Sequence, residues 1–387
     1  RPVTRHARPS ADADITPRVV HNIHPDSALR SNVVERVQDF THPLWCLVLL
    51  VVGGVFENLP LALLWFSIVV SIGAFALIVP RPGRSNSDLV LLALMIPASK
   101  AVVQYSTSGL EGPLSNLLLA LLVLTCGDLA PEWNLRDRWV PLLAAAVVLT
   151  RQDLLLVVTP VCIAWLVRKG IRRAAAPLLA GAGAIAAWEL FTLVYYGSLI
   201  PNTALAKLNT GMSASEKILQ GLRYVGDFAL RDPAGMLVLA SCLVFLFTVR
   251  KDLKARVVAS GIVLYVLYVV SIGGDFMSGR FFTAPLFLAV AEVVRRDVDH
   301  LHFPAKATSW AGIAVVLLVT IHLFGFNGFS TEVISTTGIA DEREFYAPAL
   351  SLGALHEGRN IDRVGWVHDA KEWRDKGPSG LMTDTVG

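Results

Sequence analysis

The sequence predicts an all-α polytopic membrane protein, and two observations carry that prediction. Hydrophobic residues make up 54% of the 387-residue chain and charged residues only 17%, a balance foreign to soluble domains of this size. The apolar residues are gathered into windows that reach the roughly 17–25 residues a spanning helix needs, with polar residues bunched between them. A transmembrane β-barrel would instead alternate apolar and polar residues in short segments. The pattern predicts about ten transmembrane helices preceded by a re-entrant or juxtamembrane helix. The lipid bilayer is the predicted environment, and no nucleic-acid partner is predicted.

Residues 1–42 are polar, rich in Arg, Asp and His, and too poor in apolar residues to cross a membrane. Pro43 to Phe56 is apolar but only about 14 residues long, the length of a re-entrant or interfacial segment. Helices are then predicted at roughly 60–79, 88–105, 114–128, 138–150, 153–168, 177–195, 233–250, 257–272, 281–295 and 308–325. The pair 138–150 and 153–168 are short and meet at Arg151-Gln-Asp153, a polar break of the kind tolerated where half-helices line a cavity. Cys46, Cys126, Cys162 and Cys242 lie in or beside apolar runs without C-x-x-C spacing and read as small buried hydrophobes. Three regions follow: 1–56, an extracytoplasmic first loop with its juxtamembrane helix; 57–326, the transmembrane bundle; and 327–387, an incomplete extracytoplasmic C-terminal segment. The chain opens on Arg1 and stops at Gly387 without an obvious terminal element, so material is expected to be missing at both ends.

Lys and Arg set the orientation. Alternate connections hold Arg81 and Arg84; Arg136 and Arg138; Arg168, Lys169, Arg172 and Arg173; Arg250, Lys251, Lys254 and Arg256; and Arg295, Arg296 and Lys306. By the positive-inside rule these are cytoplasmic. The other set then faces outward: Tyr105 to Pro113, the Arg151-Gln-Asp153 break, the long Tyr195 to Asp232 loop and the Gly273 to Arg280 corner, with residues 1–42 and the tail after Phe326. This arrangement requires that Pro43 to Phe56 does not cross.

The outward set carries the ionisable candidates. Asp275 and Arg280 sit on a Gly-flanked corner where a helix leaves the hydrocarbon, and charges at such depth are costly unless they pair or face water. They form either a structural lock or a substrate site in which Arg280 grips a phosphate bidentately and Asp275 orients a sugar hydroxyl. Gly273, Gly274 and Gly279 would let a head group approach the backbone. Glu111 lies on the Tyr105 to Pro113 hairpin and Lys100 about one turn earlier, inside the predicted 88–105 helix, so the two either pair or contact ligand. Arg151 and Asp153 form a further candidate pair. In the long loop, Pro201-Asn202-Thr203 offers amide and hydroxyl groups near the interface, and Lys207 either meets a phosphate or is simply solvated. Glu216 to Leu230 repeats apolar residues at helical spacing, as an amphipathic helix on the membrane surface or a connector packed on the bundle.

Thr107-Ser-Gly-Leu-Glu111, Arg151-Gln-Asp153, Tyr195-Tyr-Gly-Ser-Leu-Ile-Pro-Asn-Thr-Ala-Leu-Ala-Lys207 and Gly273-Gly-Asp-Phe-Met-Ser-Gly-Arg280 occur in that order in one known family. On these motifs, and from about Asp12 to Phe326, the sequence resembles the GT-C type membrane glycosyltransferases similar to the actinobacterial terminal arabinofuranosyltransferases. The resemblance implies an integral membrane enzyme that moves a sugar from a polyprenyl-phosphate donor to a cell-envelope glycan acceptor outside the cytoplasm. It also implies a first outer loop with two adjacent acidic residues, one of them a general base, followed by a juxtamembrane helix. The matching region here is Ala11-Asp-Ala-Asp-Ile-Thr-Pro-Arg18 and then Val34 to Trp45. In the most natural register Asp12 matches the second acidic position and Ala11 replaces the first. Either Asp12 or Asp14 serves as the base, or this copy is inactive, or the start of the chain is scrambled by truncation.

A carboxylate near the acceptor hydroxyl would take its proton as the anomeric carbon is attacked, and Arg280 or a bound divalent metal would stabilise the departing phosphate. His21, His24 and His42 add polar groups to the first loop without a ligand spacing, so no metal ligand and no definite cofactor is assigned. The competing readings are a transporter or flippase of lipid-linked saccharides, for which broken helices and charges would also be expected, and a catalytically inactive homologue. No inverted repeat is visible, and the charges gather at one face rather than at the midplane, which counts against transport.

Overall fold

The computed structural model describes residues 38, 40–56, 58–78, 98–201, 211–250, 252–294 and 335–341. Among them the regular elements are helical, joined by one isolated parallel bridge between Met277 and Ala340. In chain order they are α1 (Pro43–Val55), α2 (Leu59–Ile78), α3 (Lys100–Tyr105), α4 (Gly112–Cys126), α5 (Val140–Thr150), α6 (Leu155–Lys169), α7 (Ile171–Tyr196), α8 (Ala214–Arg231), α9 (Pro233–Val244), α10 (Leu253–Ile272) and α11 (Thr283–Val294). Stretches within α2, α7 and α10 are each long and apolar enough to cross a bilayer. The pair α8 and α9 passes the same test only together, bent by 109°. Val69, Leu179, Val194, Leu237 and Leu267 stay exposed along these helices, as side chains facing lipid do. The chain is a multi-pass helical membrane protein.

Helices in lipid gain little from hydrophobic burial against one another and associate through close packing of small residues. Two crossings depend on this. A Cβ on Gly221 of α8 would overlap the Val270 carbonyl oxygen of α10, and one on Gly261 of α10 would lie 2.5 Å from the Val157 carbonyl of α6. Around these crossings α10 packs along α6, α2 along α4 and α7 along α5, enclosing Trp45, Trp165, Tyr224, Tyr265, Phe282 and Phe287.

Several predicted boundaries move for identifiable reasons. The 88–105 helix does not run unbroken: Ser99 has extended backbone and its hydroxyl caps the Val102 N–H, so α3 starts afresh at Lys100. Lys100 is therefore a first-turn residue and not a charge inside a long helix. Helix α10 starts four residues before the predicted 257, where the Asp252 carboxylate accepts the Ala255 N–H at 3.0 Å. Helix α7 starts at Ile171 and carries Pro177 in its early turns, where the bond lost is only to Arg173. The predicted 233–250 helix closes in a π turn, Phe245–Val249. The surface helix is longer than expected because Ser213 and Glu216 form a reciprocal cap. It packs on the bundle, with Gly221, Tyr224 and Phe228 buried there, while Leu219, Leu222 and Leu230 remain exposed. The predicted 308–325 helix and the extracytoplasmic tail, apart from 335–341, lie outside the described residues. Among the described residues Cys46, Cys126 and Cys242 are buried and Cys162 half-buried, all as free thiols.

Two buried ion pairs brace the far end of the bundle. Lys254 Nζ lies 3.2 Å from Glu292 Oε2 and donates to the Val123 carbonyl at 2.9 Å. Lys169 pairs with Asp137 at 2.8 Å.

Candidate active site

The site is built around the corner that follows α10. Gly273 and Gly274 take left-handed backbone with φ of 91° and 76°, which stops the helix and turns the chain. A Cβ on Gly274 would also come within 2.5 Å of Tyr224, so the corner lies flat against α8. Tyr224 then fixes the next residues: its hydroxyl donates to the Met277 carbonyl at 2.9 Å and accepts the Phe281 N–H at 3.2 Å. Phe282 stacks on both Tyr224 and Phe228, and the Tyr105 hydroxyl donates to the Ser278 carbonyl at 3.0 Å. Arg280 begins the 3-10 turn that leads into α11, held between these aromatic contacts.

From there its guanidinium reaches two carboxylates. Nη2 lies 3.2 Å from Glu111 Oε1 and Nη1 lies 3.5 Å from Asp275 Oδ2. Glu111 is the residue before α4, at the end of a tight Ser-rich turn in which Ser108 donates to the Tyr105 carbonyl and Ser71 of α2 donates to the Ser106 carbonyl. Arg151 extends the cluster, with Nε 3.8 Å from Glu111 Oε1 and Nη2 bonded to Asp153. Tyr265 of α10 closes this side: its hydroxyl donates to Asp153 Oδ2 at 2.7 Å and accepts from Arg151 Nη2 at 2.8 Å. The Arg151 guanidinium also lies over the Phe281 ring. His42, just before α1, places Nδ1 4.0 Å from Glu111 Oε2.

Glu111, Arg151 and Arg280 are all buried or nearly so, with side-chain exposures of 3%, 5% and 12%. Burial alone would raise the Glu111 carboxyl, but Arg280, then His42 and Arg151, overcome it and hold it at about 2. Burial pushes the His42 imidazole below its ordinary 6.5; Glu111 opposes that, while Arg280 and Arg151 add to it. The cluster thus sets an ionised Glu111 beside a neutral His42 imidazole at neutral pH.

Tyr265 lies seven residues before Ile272, the last residue of α10, so the Arg151–Asp153 end of the cluster lies about 10 Å along that helix from the corner at 1.5 Å per residue.

The sequence-predicted residues separate into three groups. Glu111, Arg151, Asp153, Asp275 and Arg280 come together, and both anticipated pairs, Arg151 with Asp153 and Arg280 with Asp275, form. Lys100 does not pair with Glu111 as considered: its Nζ lies 2.8 Å from Asp341 Oδ2, because Glu111 is turned toward the arginines. Asp12, Asp14, Asn202 and Lys207, with His21 and His24, lie outside the described residues. Sequence reasoning passed over Tyr265, Tyr224 and Asp341. A Tyr within a spanning helix, whose hydroxyl needs a partner, is the signal that would have found Tyr265; Asp341 carried none. It arrives because residues 335–341 lie along the corner: Ser278 N–H donates to the Ala340 carbonyl, Ala340 N–H to the Phe276 carbonyl, and Gln220 to the Thr337 carbonyl. Among the described residues no group of three or more His, Cys, Asp or Glu is placed to hold a metal ion.

Chemically, the two guanidinium groups offer planar, always-charged forks suited to phosphate or carboxylate oxygens. Three carboxylates already compensate them, so an incoming anion competes with Glu111 and Asp275 for Arg280.

Fold and cluster together define a polytopic helical membrane protein with a compensated, buried ion cluster drawn from three distant segments. Comparison with curated proteins gives the particular relatives. The chain is 30% identical, over 397 aligned positions, to the terminal β-(1→2)-arabinofuranosyltransferase of Mycobacterium tuberculosis (strain ATCC 25618 / H37Rv), covering 87% of this chain and 62% of the relative. It is 28% identical over 412 positions to the protein of the same name from Corynebacterium glutamicum (strain ATCC 13032), covering 87% of this chain and 55% of that relative. The chain is similar to both of these proteins and spans about three fifths of their length. No protein-family model matches it and no solved structure matches it.

Proposed function

We propose that this protein is a GT-C type membrane glycosyltransferase that transfers a sugar, arabinofuranose, from a polyprenyl-phosphate donor to a cell-envelope glycan on the extracytoplasmic side. The observation that carries this reading is the convergence of segments far apart in sequence on one buried cluster, with Glu111 from the first hairpin, Arg151 and Asp153 from the helix break, and Asp275 and Arg280 from the corner. Three of these segments are motifs of the family resemblance, and the curated relatives bear the name of that activity. Residues 57–326 form the transmembrane unit in this reading, with 1–56 and 327–387 beside it on the outer side.

Arg280, with Arg151 behind it, faces the donor phosphate, and Asp275 orients a sugar hydroxyl. Asn202 and Lys207 approach the same head group from the long loop. Asp12 or Asp14 takes the proton of the acceptor hydroxyl as its oxygen bonds to the anomeric carbon; the bond from that carbon to the phosphate oxygen breaks, and the electron pair leaves on the lipid phosphate. Guanidinium groups stabilise that departing charge, and no step requires a cofactor.

The test is a transfer assay on the full-length protein with decaprenyl-phosphate-linked arabinose or mannose and an oligosaccharide acceptor, comparing wild type with Asp12→Ala, Asp14→Ala and Arg280→Ala. Product from wild type and its loss in Arg280→Ala and in one of the two Asp variants supports the assignment. Carrier translocation without sugar transfer makes the protein a flippase. Neither transfer nor translocation by the wild type makes it an inactive homologue.

A further inference from the structure

A second polar feature, which the proposed chemistry does not use, lies at the other end of the bundle. Helix α6 leads from the Asp153 turn to Lys169, a distance of about 21 Å at the helical rise. There the short 3-10 helix Leu135–Trp139 packs against the start of α7. Asp137 ties the 3-10 helix to the end of α6: it accepts the Asn134 N–H at 2.6 Å and pairs with Lys169 at 2.8 Å, while Lys169 also donates to the Glu132 carbonyl. Both charged side chains are only 4% exposed. Burying an ion pair is costly unless its remaining polar atoms are satisfied, and here that cost fixes the geometry of a surface loop.

The consequence is a gathered basic face. Arg136, Arg138, Arg168, Arg172 and Arg173 are all exposed, against only Asp128 and Glu132 as exposed acids in the same loops. Arg138 lies over the ring of Trp139, which is itself 50% exposed, and Leu135 and Ile171 beside it are 72% and 62% exposed. Between the two segments lies a depression of about 680 Å³, widely open to the surface and lined by Glu132, Trp133 and Arg173. Arginine beside half-exposed tryptophan and aliphatic side chains is the pairing that meets a lipid phosphate and the upper acyl chain at one level. Scattered loop arginines that merely obey the charge asymmetry of membrane proteins would need neither the buried brace nor the depression.

We propose that this face is a binding site for an anionic phospholipid, whose phosphate sits on Arg172 and Arg173 at the Trp133 depression and whose acyl chains lie along Leu135, Trp139 and Ile171. The site is separate from the ion cluster and does not depend on the glycosyltransferase reading.

The test uses the full-length protein in nanodiscs of equimolar phosphatidylglycerol and phosphatidylcholine, with the lipids retained after extraction counted by native mass spectrometry. Phosphatidylglycerol should be retained in preference, and Arg172→Gln and Arg173→Gln should each weaken that preference about fivefold, the effect of one basic residue at an anionic surface. Arg256→Gln removes an exposed arginine from the first turn of α10 and should leave the preference unchanged. No preference in the wild type, or an equal loss in Arg256→Gln, overturns the proposal. Displacement of the lipid by inorganic phosphate at the same concentration also overturns it, in favour of a site for free anions.

Discussion

Arg280 Nη2 lies 3.2 Å from Glu111 Oε1 although 169 residues separate them. Breaking a buried ion pair from one side leaves a charge without its partner, at about 3–5 kcal/mol, whereas replacing both partners by apolar groups can be close to neutral. Arg280→Met and Glu111→Leu should therefore each destabilise strongly, and the double variant should cost much less than their sum. Thermal unfolding in detergent measures this, and additive losses would show that the two side chains do not share one site.

Tyr265 bridges Arg151 and Asp153 from within a spanning helix. Tyr265→Phe leaves the ring in place and removes only the hydroxyl, so the expected cost is about 1–3 kcal/mol for the hydrogen bonds lost, with a fall in transfer rate of about tenfold as Arg151 loses its orientation. Tyr268→Phe, one turn along, should change neither. Equal behaviour of the two variants would remove Tyr265 from the site.

The pH response follows from two depressed groups. Glu111 is held at about 2 in the folded protein against an ordinary 4.5, so its contribution to stability is complete above 4.5 and is lost as pH falls toward 2. His42 is held below its ordinary 6.5, so the unfolded chain takes up its proton first and stability declines as pH falls below 6.5. Unfolding temperatures measured from pH 7.5 down to 5 should therefore drop, and His42→Asn should flatten that decline. A decline left unchanged in His42→Asn would show that other groups cause it.

The Lys100–Asp341 pair is partly open to water, with Lys100 27% exposed, so it contributes within about 1 kcal/mol. Its effect should be local. Asp341→Asn should leave the unfolding temperature nearly constant but free residues 335–341 from the corner, measurable as faster amide exchange at Ala340, whose N–H bonds to Phe276. Unchanged exchange at Ala340 would show that the backbone bridge alone holds the segment.

Gly221 allows α8 to cross α10 in near-contact. Gly221→Ala should cost about 1–3 kcal/mol by overpacking and displace the Tyr224 hydroxyl that anchors the corner, lowering transfer as well. Gly226, on the same helix with nothing within 4 Å, should accept Ala without loss. Equal tolerance at both positions would show that the crossing is looser than these distances.

How much of this was readable in the chain depends on range. Spanning helices announce themselves by composition, so α2 and α10 were legible to within four residues and α7 to within six. Glu111, Arg151 and Arg280 were legible as charges placed where charges are expensive. Partners were not, because sequence fixes cost before it fixes company: Lys100 was weighed against nearby Glu111, and the competition was decided by Asp341, more than two hundred residues downstream. The break before α3 hinged on one serine hydroxyl, a signal too local for an apolar window to register. The meeting of Arg151 with Tyr265 was illegible as well, since it is set by where α6 docks on α10.

Arg280 is already engaged on two sides, by Glu111 at 3.2 Å and by Asp275 at 3.5 Å. An anion arriving there can be held only by exchange, one carboxylate swinging away as the newcomer takes its place. Occupancy of this corner and a movement of Glu111 or Asp275 are therefore a single event, and a ligand too weakly charged to displace either would leave the guanidinium as it stands.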